Sequence, residues 1–282
     1  MSGTSTVLGI TGATGALGGR IARRLAAVGV GQRLIVRDPA RAPELAGAQV
    51  AVASYGQRAE SLAALGGVGT LFMVSGAEAP DRVRQHLDFI DAAVAAGVQR
   101  IVYTSFCGAG PDATFTLARD HWATEEYLRG SGLPHVILRD NLYLDFLPLM
   151  VGADGAIRGP AGDGRVAAVA QDDIADAAVA VLREPAAHDG ATYTLTGPAA
   201  LSLDEVATAL SAHTGSPVRY ERETVDQAYR SRAGYQAPPW QLDAWVSTYT
   251  AIAAGELAGI TTDVVNLSGH PATSLGALLD LS

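Results

Sequence analysis

Gly12, Gly15 and Gly18 recur at every third position in Gly12-Ala13-Thr14-Gly15-Ala16-Leu17-Gly18, directly after one apolar run and at the opening of another. A strand, a glycine turn and a helix in that order make a diphosphate cradle. Gly12 permits the tight turn and Gly15 lets backbone approach a pyrophosphate. Gly18 lets the helix pack closely on the strand, while the helix N-terminus faces the phosphate charge. A second group with chemical meaning follows at Val36-Arg37-Asp38-Pro39-Ala40-Arg41. An acidic residue at the end of a second strand suits a ribose 2′-hydroxyl, whereas a guanidinium there pairs bidentately with a 2′-phosphate. Arg37 holds that place and Arg41 adds a second charge; Asp38 serves as a helix cap before Pro39 or as a ribose contact. The arrangement favours NADP(H) over NAD(H).

These residues need a particular scaffold. Short apolar runs at 7–10, 33–36, 49–53, 70–74, 100–104 and 135–138 read as buried strands. Between them, 17–28, 40–45, 59–65, 81–96 and 117–129 carry helical spacing. The alternation predicts an α/β fold, a Rossmann-like doubly wound parallel sheet, with a smaller C-terminal α/β lobe. The glycine-rich 152–165 reads as a loop, followed by a helix to about Glu184, a strand over 192–196 and a helix opened by the Ser202-Leu203-Asp204-Glu205 capping box. A further strand is expected over 218–223. The expected division is a dinucleotide domain over 1–150, with 166–196 returning to it, and a substrate lobe over 197–282 with 151–165.

Composition narrows the classes of function. The chain has 282 residues, 48% hydrophobic and 17% charged, with a net charge of −9 and no lysine among its 20 basic residues. This is the composition of a globular protein with a large core. An acidic chain without basic runs predicts no nucleic-acid binding, and the lack of lysine removes Schiff-base chemistry. No apolar stretch reaches the roughly 20 residues that span a bilayer, and the N-terminus has no signal-peptide pattern. With Cys107 as the single cysteine, a reducing, cytoplasmic setting is expected. The histidines show no metal-ligand spacing, so no metal is expected.

Several segments carry a family resemblance. TGATGALG, VRDPARA, VQRIVYTSF, LARDHWATEEYL and ILRDNLYLDF resemble the NmrA-like branch of the atypical short-chain dehydrogenases. Within it, the chain is similar to bacterial NADPH-dependent quinone and triphenylmethane dye reductases. The similarity continues through AGDGRVAAVAQDDIADAAVAVL and SGHPATSL, so it spans nearly the whole chain. The resemblance implies a substrate cleft between domain and lobe. It implies that Thr11, Gly12, Ala13, Thr14, Gly15, Ala16 and Leu17 cradle the pyrophosphate and that Arg37 binds the 2′-phosphate. Val74, Ser75 and Gly76 would line the path of the cofactor, and Leu142, Tyr143 and Leu144 would pass near the nicotinamide. Ordinary members of the superfamily use a Tyr-x-x-x-Lys pair. Leu117 and His121 stand in those places here, and Ser105 falls at the usual catalytic serine.

The chemistry follows from what is missing. A ketone needs a proton donor for its developing alkoxide. A quinone, whose reduction leaves a delocalised phenolate, needs one less, and a cationic dye needs none. Loss of the tyrosine points to NADPH-dependent hydride transfer to a quinone or similar conjugated aromatic acceptor. His121 could bond the acceptor oxygen or the nicotinamide ribose, donate a proton, or simply cap a helix. Tyr143 could supply a phenolic proton, close the pocket or merely pack; Ser105 orders its strand end or touches substrate. The competing readings are an NADP(H)-sensing regulator without turnover and a ketone or imine reductase of a biosynthetic pathway. Oligomeric state stays open, a homodimer included.

Overall fold

A computed structural model describes residues 7–281. Eleven strands run in chain order: β1 (Val7–Thr11), β2 (Gln32–Val36), β3 (Ala48–Val52), β4 (Val68–Met73), β5 (Arg100–Phe106), β6 (His135–Asp140), β7 (Ala156–Gly159), β8 (Arg165–Val166), β9 (Thr192–Leu195), β10 (Leu201–Ser202) and β11 (Arg219–Arg222). Seven of them form one sheet in the order β3-β2-β1-β4-β5-β6-β9. The pairs β1–β2, β1–β4, β2–β3 and β4–β5 are parallel. The helices between the strands are α1 (Ala16–Ala27), α2 (Arg58–Leu65), α3 (Arg82–Ala95), α4 (Thr116–Gly130) and α5 (Gln171–Arg183). This is the expected Rossmann-like doubly wound sheet. Strand order reverses between β1 and β4, and in such sheets ligands bind outside the carboxyl ends of the strands at that point.

The chain divides into two compact units. The first comprises 1–105, 121–138 and 174–193; the second comprises 106–120, 139–173 and 194–282. The chain beyond β5 and β6 leaves the sheet, and Cys107, Phe115, Leu144 and Leu147 bury themselves in the core of the second unit with Ile157, Val166 and Ile252. The core of the first unit gathers Leu71, Met73, Phe89, Ile90, Ile101, Tyr103 and Leu128. In the second unit β7 pairs parallel with β11, and β8 pairs antiparallel with β10. Helix α6 (Leu203–Thr214) follows, opened by the capping box of Ser202 and Glu205.

Two local expectations give way. The helix expected over 40–45 is a single 3-10 turn, Pro39–Arg41. Pro43 lacks a donor and its ring excludes helical geometry at the preceding residue, and Ala42 is accordingly extended at φ −65°, ψ 135°. The loop over 152–165 contains β7, a four-residue strand hidden by flanking glycines. Its partner lies some 60 residues on, beyond the reach of local pattern. No helix among the described residues is long and apolar enough to cross a membrane.

Candidate cofactor site and its supporting network

The turn after β1 is built by glycine where glycine is required. Gly12 sits at φ +68°, in the left-handed region, and the Gly15 N–H closes the turn on the Gly12 carbonyl at 2.9 Å. A Cβ on Gly18 would stand 2.4 Å from the Gly12 oxygen and 2.9 Å from the Thr11 oxygen, so the first turn of α1 and the end of β1 tolerate no side chain there. Ala13 and Leu17 are buried and hold the turn to the core, while Gly15 and Ala16 are exposed and Thr14 is half-buried. Gly15 caps α1 without a side-chain bond, and the first turn carries no acidic residue. The N-terminus of such a helix is a favourable place for an anion. These features fit a dinucleotide pyrophosphate.

At the end of β2, the Asp38 carboxylate accepts the Ala40 N–H at 3.0 Å and caps the 3-10 turn. Arg37 and Arg41 are exposed on either side of it. The acidic group is thus engaged in capping, and the two exposed guanidinium groups beside it are of a type that suits a phosphate.

Beyond β4, at the reversal point, side chains take the backbone groups of 74–76 one after another. The Val74 N–H donates to Thr11 Oγ1 at 2.8 Å, and Tyr55 Oη donates to the Val74 carbonyl. The Ser75 N–H donates to Thr104 Oγ1 at 2.8 Å. The Gly76 N–H donates to His86 Nε2 at 2.8 Å, and Arg82 Nε donates to the Gly76 carbonyl at 2.9 Å. Thr11, which shares its hydroxyl with Tyr55 at 2.6 Å, is 1% exposed. Its side chain supports this segment from within.

The same network reaches α4. His86 is buried, and because its Nε2 accepts from Gly76, its proton lies on Nδ1, directed at Thr124 Oγ1 2.9 Å away. Burial, with a smaller contribution from the Arg82 cation, pushes the His86 pKa down to about 3. Arg82, 4% exposed, reaches His121 Nε2 with an Nη at 3.0 Å, and His121 Nδ1 lies 3.0 Å from the Tyr103 hydroxyl. Ser105 Oγ donates to Glu125 Oε1 at 2.5 Å, and Glu125 is fully buried and pairs with Arg129 at 3.0 Å. His121 and Ser105 therefore both sit in the first unit with their side chains turned into hydrogen bonds of its interior.

Tyr143 and Leu142 lie in the second unit. Leu142 exchanges backbone bonds around the strand end: its N–H donates to Asn141 Oδ1 at 2.8 Å and its carbonyl accepts from the Val169 N–H at 2.9 Å. The Tyr143 hydroxyl is 3.5 Å from Asp140 Oδ2, and its ring meets Phe146 edge-on. Asp140 is 2% exposed, its Oδ1 has no hydrogen-bond partner among the described residues, and burial raises its pKa well above the ordinary carboxylate value. Burial likewise raises the Cys107 thiol, which keeps it in the unreactive protonated form. Among the described residues, no three His, Cys, Asp or Glu side chains gather where a metal ion could be held.

Arg82, His86, Tyr55 and Glu125 were not among the residues singled out from the sequence. A signal was present: Arg82 and His86 are spaced i, i+4, and continue into Phe89, Ile90 and Ala93 on the buried face of α3. Two polar residues on the apolar face of a helix imply internal partners.

A parallel sheet with a glycine turn at its reversal point, followed by arginine at the end of the second strand, defines a dinucleotide-binding α/β protein. The NmrA-like family model matches residues 4–236, and the chain belongs to that family. It is 34% identical to the NAD(P)H azoreductase of Xenophilus azovorans, covering 93% of both chains. It is also 34% identical to quinone oxidoreductase 2 of Escherichia coli K12, over 95% of this chain and 96% of that one. The structure of the E. coli quinone oxidoreductase with NADPH superposes with a TM-score of 0.89, covering 98% of this chain and 99% of that one. The Citrobacter triphenylmethane reductase complexed with NADP(H) gives 0.86 at 30% identity, covering 97% and 99%.

Proposed function

We propose that the protein is an NADPH-dependent reductase whose acceptor is a quinone or a similar conjugated aromatic molecule. The observation that carries this reading is the substitution at the catalytic pair. Leu117, an apolar side chain packed at the second unit's core, stands where a proton-donating tyrosine is expected, and His121 stands in the place of the lysine. A site built this way favours acceptors whose reduced form is stabilised by its own delocalisation. The relatives' names describe acceptors of that type: azo compounds, quinones and triphenylmethane dyes.

Bound NADPH supplies the hydride. The turn from Gly12 to Gly18 and the N-terminus of α1 hold its pyrophosphate, and Arg37 with Arg41 holds the 2′-phosphate. Val74, Ser75 and Gly76 keep a fixed backbone surface along its path. In this reading Ser105 orders the end of β5 through Glu125 and His121 orders the interior behind it. Tyr143 is the side chain assigned to return a proton where the reduced acceptor needs one.

The test is to follow nicotinamide absorbance with NADPH and with NADH against menadione, a triphenylmethane dye and a saturated ketone. Oxidation of NADPH by the quinone or dye, in preference to NADH, is expected. Turnover of the ketone alone would overturn the reading in favour of a biosynthetic reductase. Cofactor binding without turnover across the panel would overturn it in favour of a cofactor sensor.

A further inference from the structure

We propose that Arg82 is the positioning residue of this site: one buried guanidinium holds the Gly76 carbonyl, at the end of the 74–76 segment, and locks His121 as the neutral Nδ1–H tautomer. The fixed positive charge next to residue 121 then belongs to α3 and not to the histidine. The proposal deepens the reductase reading and rests on it only for what the lock does to catalysis; the lock itself is a property of the protein without ligand.

Arginine has five N–H donors and no acceptor, so the ring nitrogen that faces an Arg82 Nη at 3.0 Å accepts. His121 Nε2 therefore carries no proton, and in the neutral ring the proton sits on Nδ1, where the Tyr103 hydroxyl lies 3.0 Å away to accept it. Protonating Nε2 would set N–H against N–H and one cation against another within hydrogen-bond distance, inside a region where His121 is 6% exposed and Arg82 4% exposed. Screening there is weak. His86 repeats the pattern independently, since its Nε2 is held as an acceptor by a backbone N–H that cannot reverse its role.

Several elements bring groups near His121. Arg82 and, behind Tyr103, His86 come from α3; His86 and Tyr103 meet edge-on at 5.9 Å. Tyr103 comes from β5, and Tyr55, from the chain after β3, meets His86 edge-on. Glu125, one turn along α4, is bonded to Ser105 and Arg129. Arg82 is a cation that faces the imidazole at hydrogen-bond range.

Geometry also says why an arginine is needed. Its Nε engages the Gly76 carbonyl at 2.9 Å while a terminal nitrogen engages His121. The planar fork spans both acceptors at once, which a lysine ammonium on its flexible stem does not reproduce. The guanidinium thus couples the backbone lining the cofactor's path to the residue in the lysine's place. His121 consequently orients and does not act as the acid.

The deciding measurement is nitrogen-15 imidazole NMR on the ligand-free protein from pH 5.5 to 8.5, with the His121 signals assigned by H121Q. The wild type should show the Nδ1–H tautomer with no titration across that range. Arg82→Met should release His121 to titrate within it, and Arg82→Lys should not restore the wild-type spectrum. An Nε2–H tautomer, or ordinary titration of His121 in the wild type, would overturn the proposal whatever the folding of the variants. So would an unchanged His121 spectrum in Arg82→Met. In turnover with the best acceptor, kcat/KM of the wild type should show no inflection from His121, whereas Arg82→Met should gain one near the ordinary histidine range. Because the spectra require no turnover, failure of the reductase reading and failure of the lock are separately visible.

Discussion

Arg37 and Asp38 sit side by side and exposed, and different tasks are proposed for them. Asp38 spends its carboxylate on the Ala40 N–H, which leaves the guanidinium of Arg37 as the group suited to a phosphate. Reversing that charge tests the assignment. Arg37→Glu should reduce kcat/KM with NADPH by about tenfold or more, in line with loss of a charge-assisted bond and gain of repulsion, while NADH changes little. An unchanged NADPH/NADH ratio would remove Arg37 from the role. Residue type alone does not disclose the partners of the polar side chains nearby. Ser105 and His121 were visible as polar residues at a strand end and a helix start, but their partners, Glu125, Arg82 and Tyr103, are dispersed over three elements. Only the packing of α3 and α4 on β5 brings those atoms into range.

At the scale of elements, the β1–α1 junction is the part most tightly specified by sterics. The approach of Gly18 to the Gly12 carbonyl leaves no room for a methyl group, so Gly18→Ala must shift α1 away from β1. The expected cost is about 1–3 kcal/mol of stability, as for an overpacked contact, with weakened NADPH binding because the helix N-terminus moves. Gly130→Ala at the end of α4, where an added Cβ meets nothing within 4 Å, is the control and should leave the melting temperature and NADPH affinity close to wild type. Equal behaviour of the two variants in thermal melts and cofactor titrations would show that close packing at Gly18 is not what constrains the turn.

For the whole molecule, each unit encloses its own apolar core, and the first also encloses a titratable group that disfavours charge. The His86 pKa falls from 6.5 to about 3 on folding, so below pH 6.5 the unfolded chain binds a proton that the folded one refuses. Stability from this group is fully present above pH 6.5 and is lost as pH falls toward 3, amounting to about 2 kcal/mol between pH 7 and 5. His86→Gln keeps an acceptor for Gly76 and cannot titrate. Denaturant unfolding at the two pH values should therefore show a smaller acid-side loss in the variant. The same slope in both proteins would count against the buried neutral histidine.

The order of strands through β6, the glycine turn and the arginine at the end of β2 were determined by local sequence. Periodicity, glycine sterics and proline geometry act within a few residues, so a linear reading captures them. The family resemblance rested on such short runs and held. Tertiary structure alone decided what the chain beyond β5 and β6 does, because 106–120 and 139–150 join the second core through partners far along the sequence, Leu203 and Ile252 among them. It also decided the pairing of β7 with β11 and the tautomers of His86 and His121. A histidine's type permits either ring nitrogen to carry the proton; the donors that packing delivers to it, Gly76 N–H in one case and Arg82 in the other, choose between them.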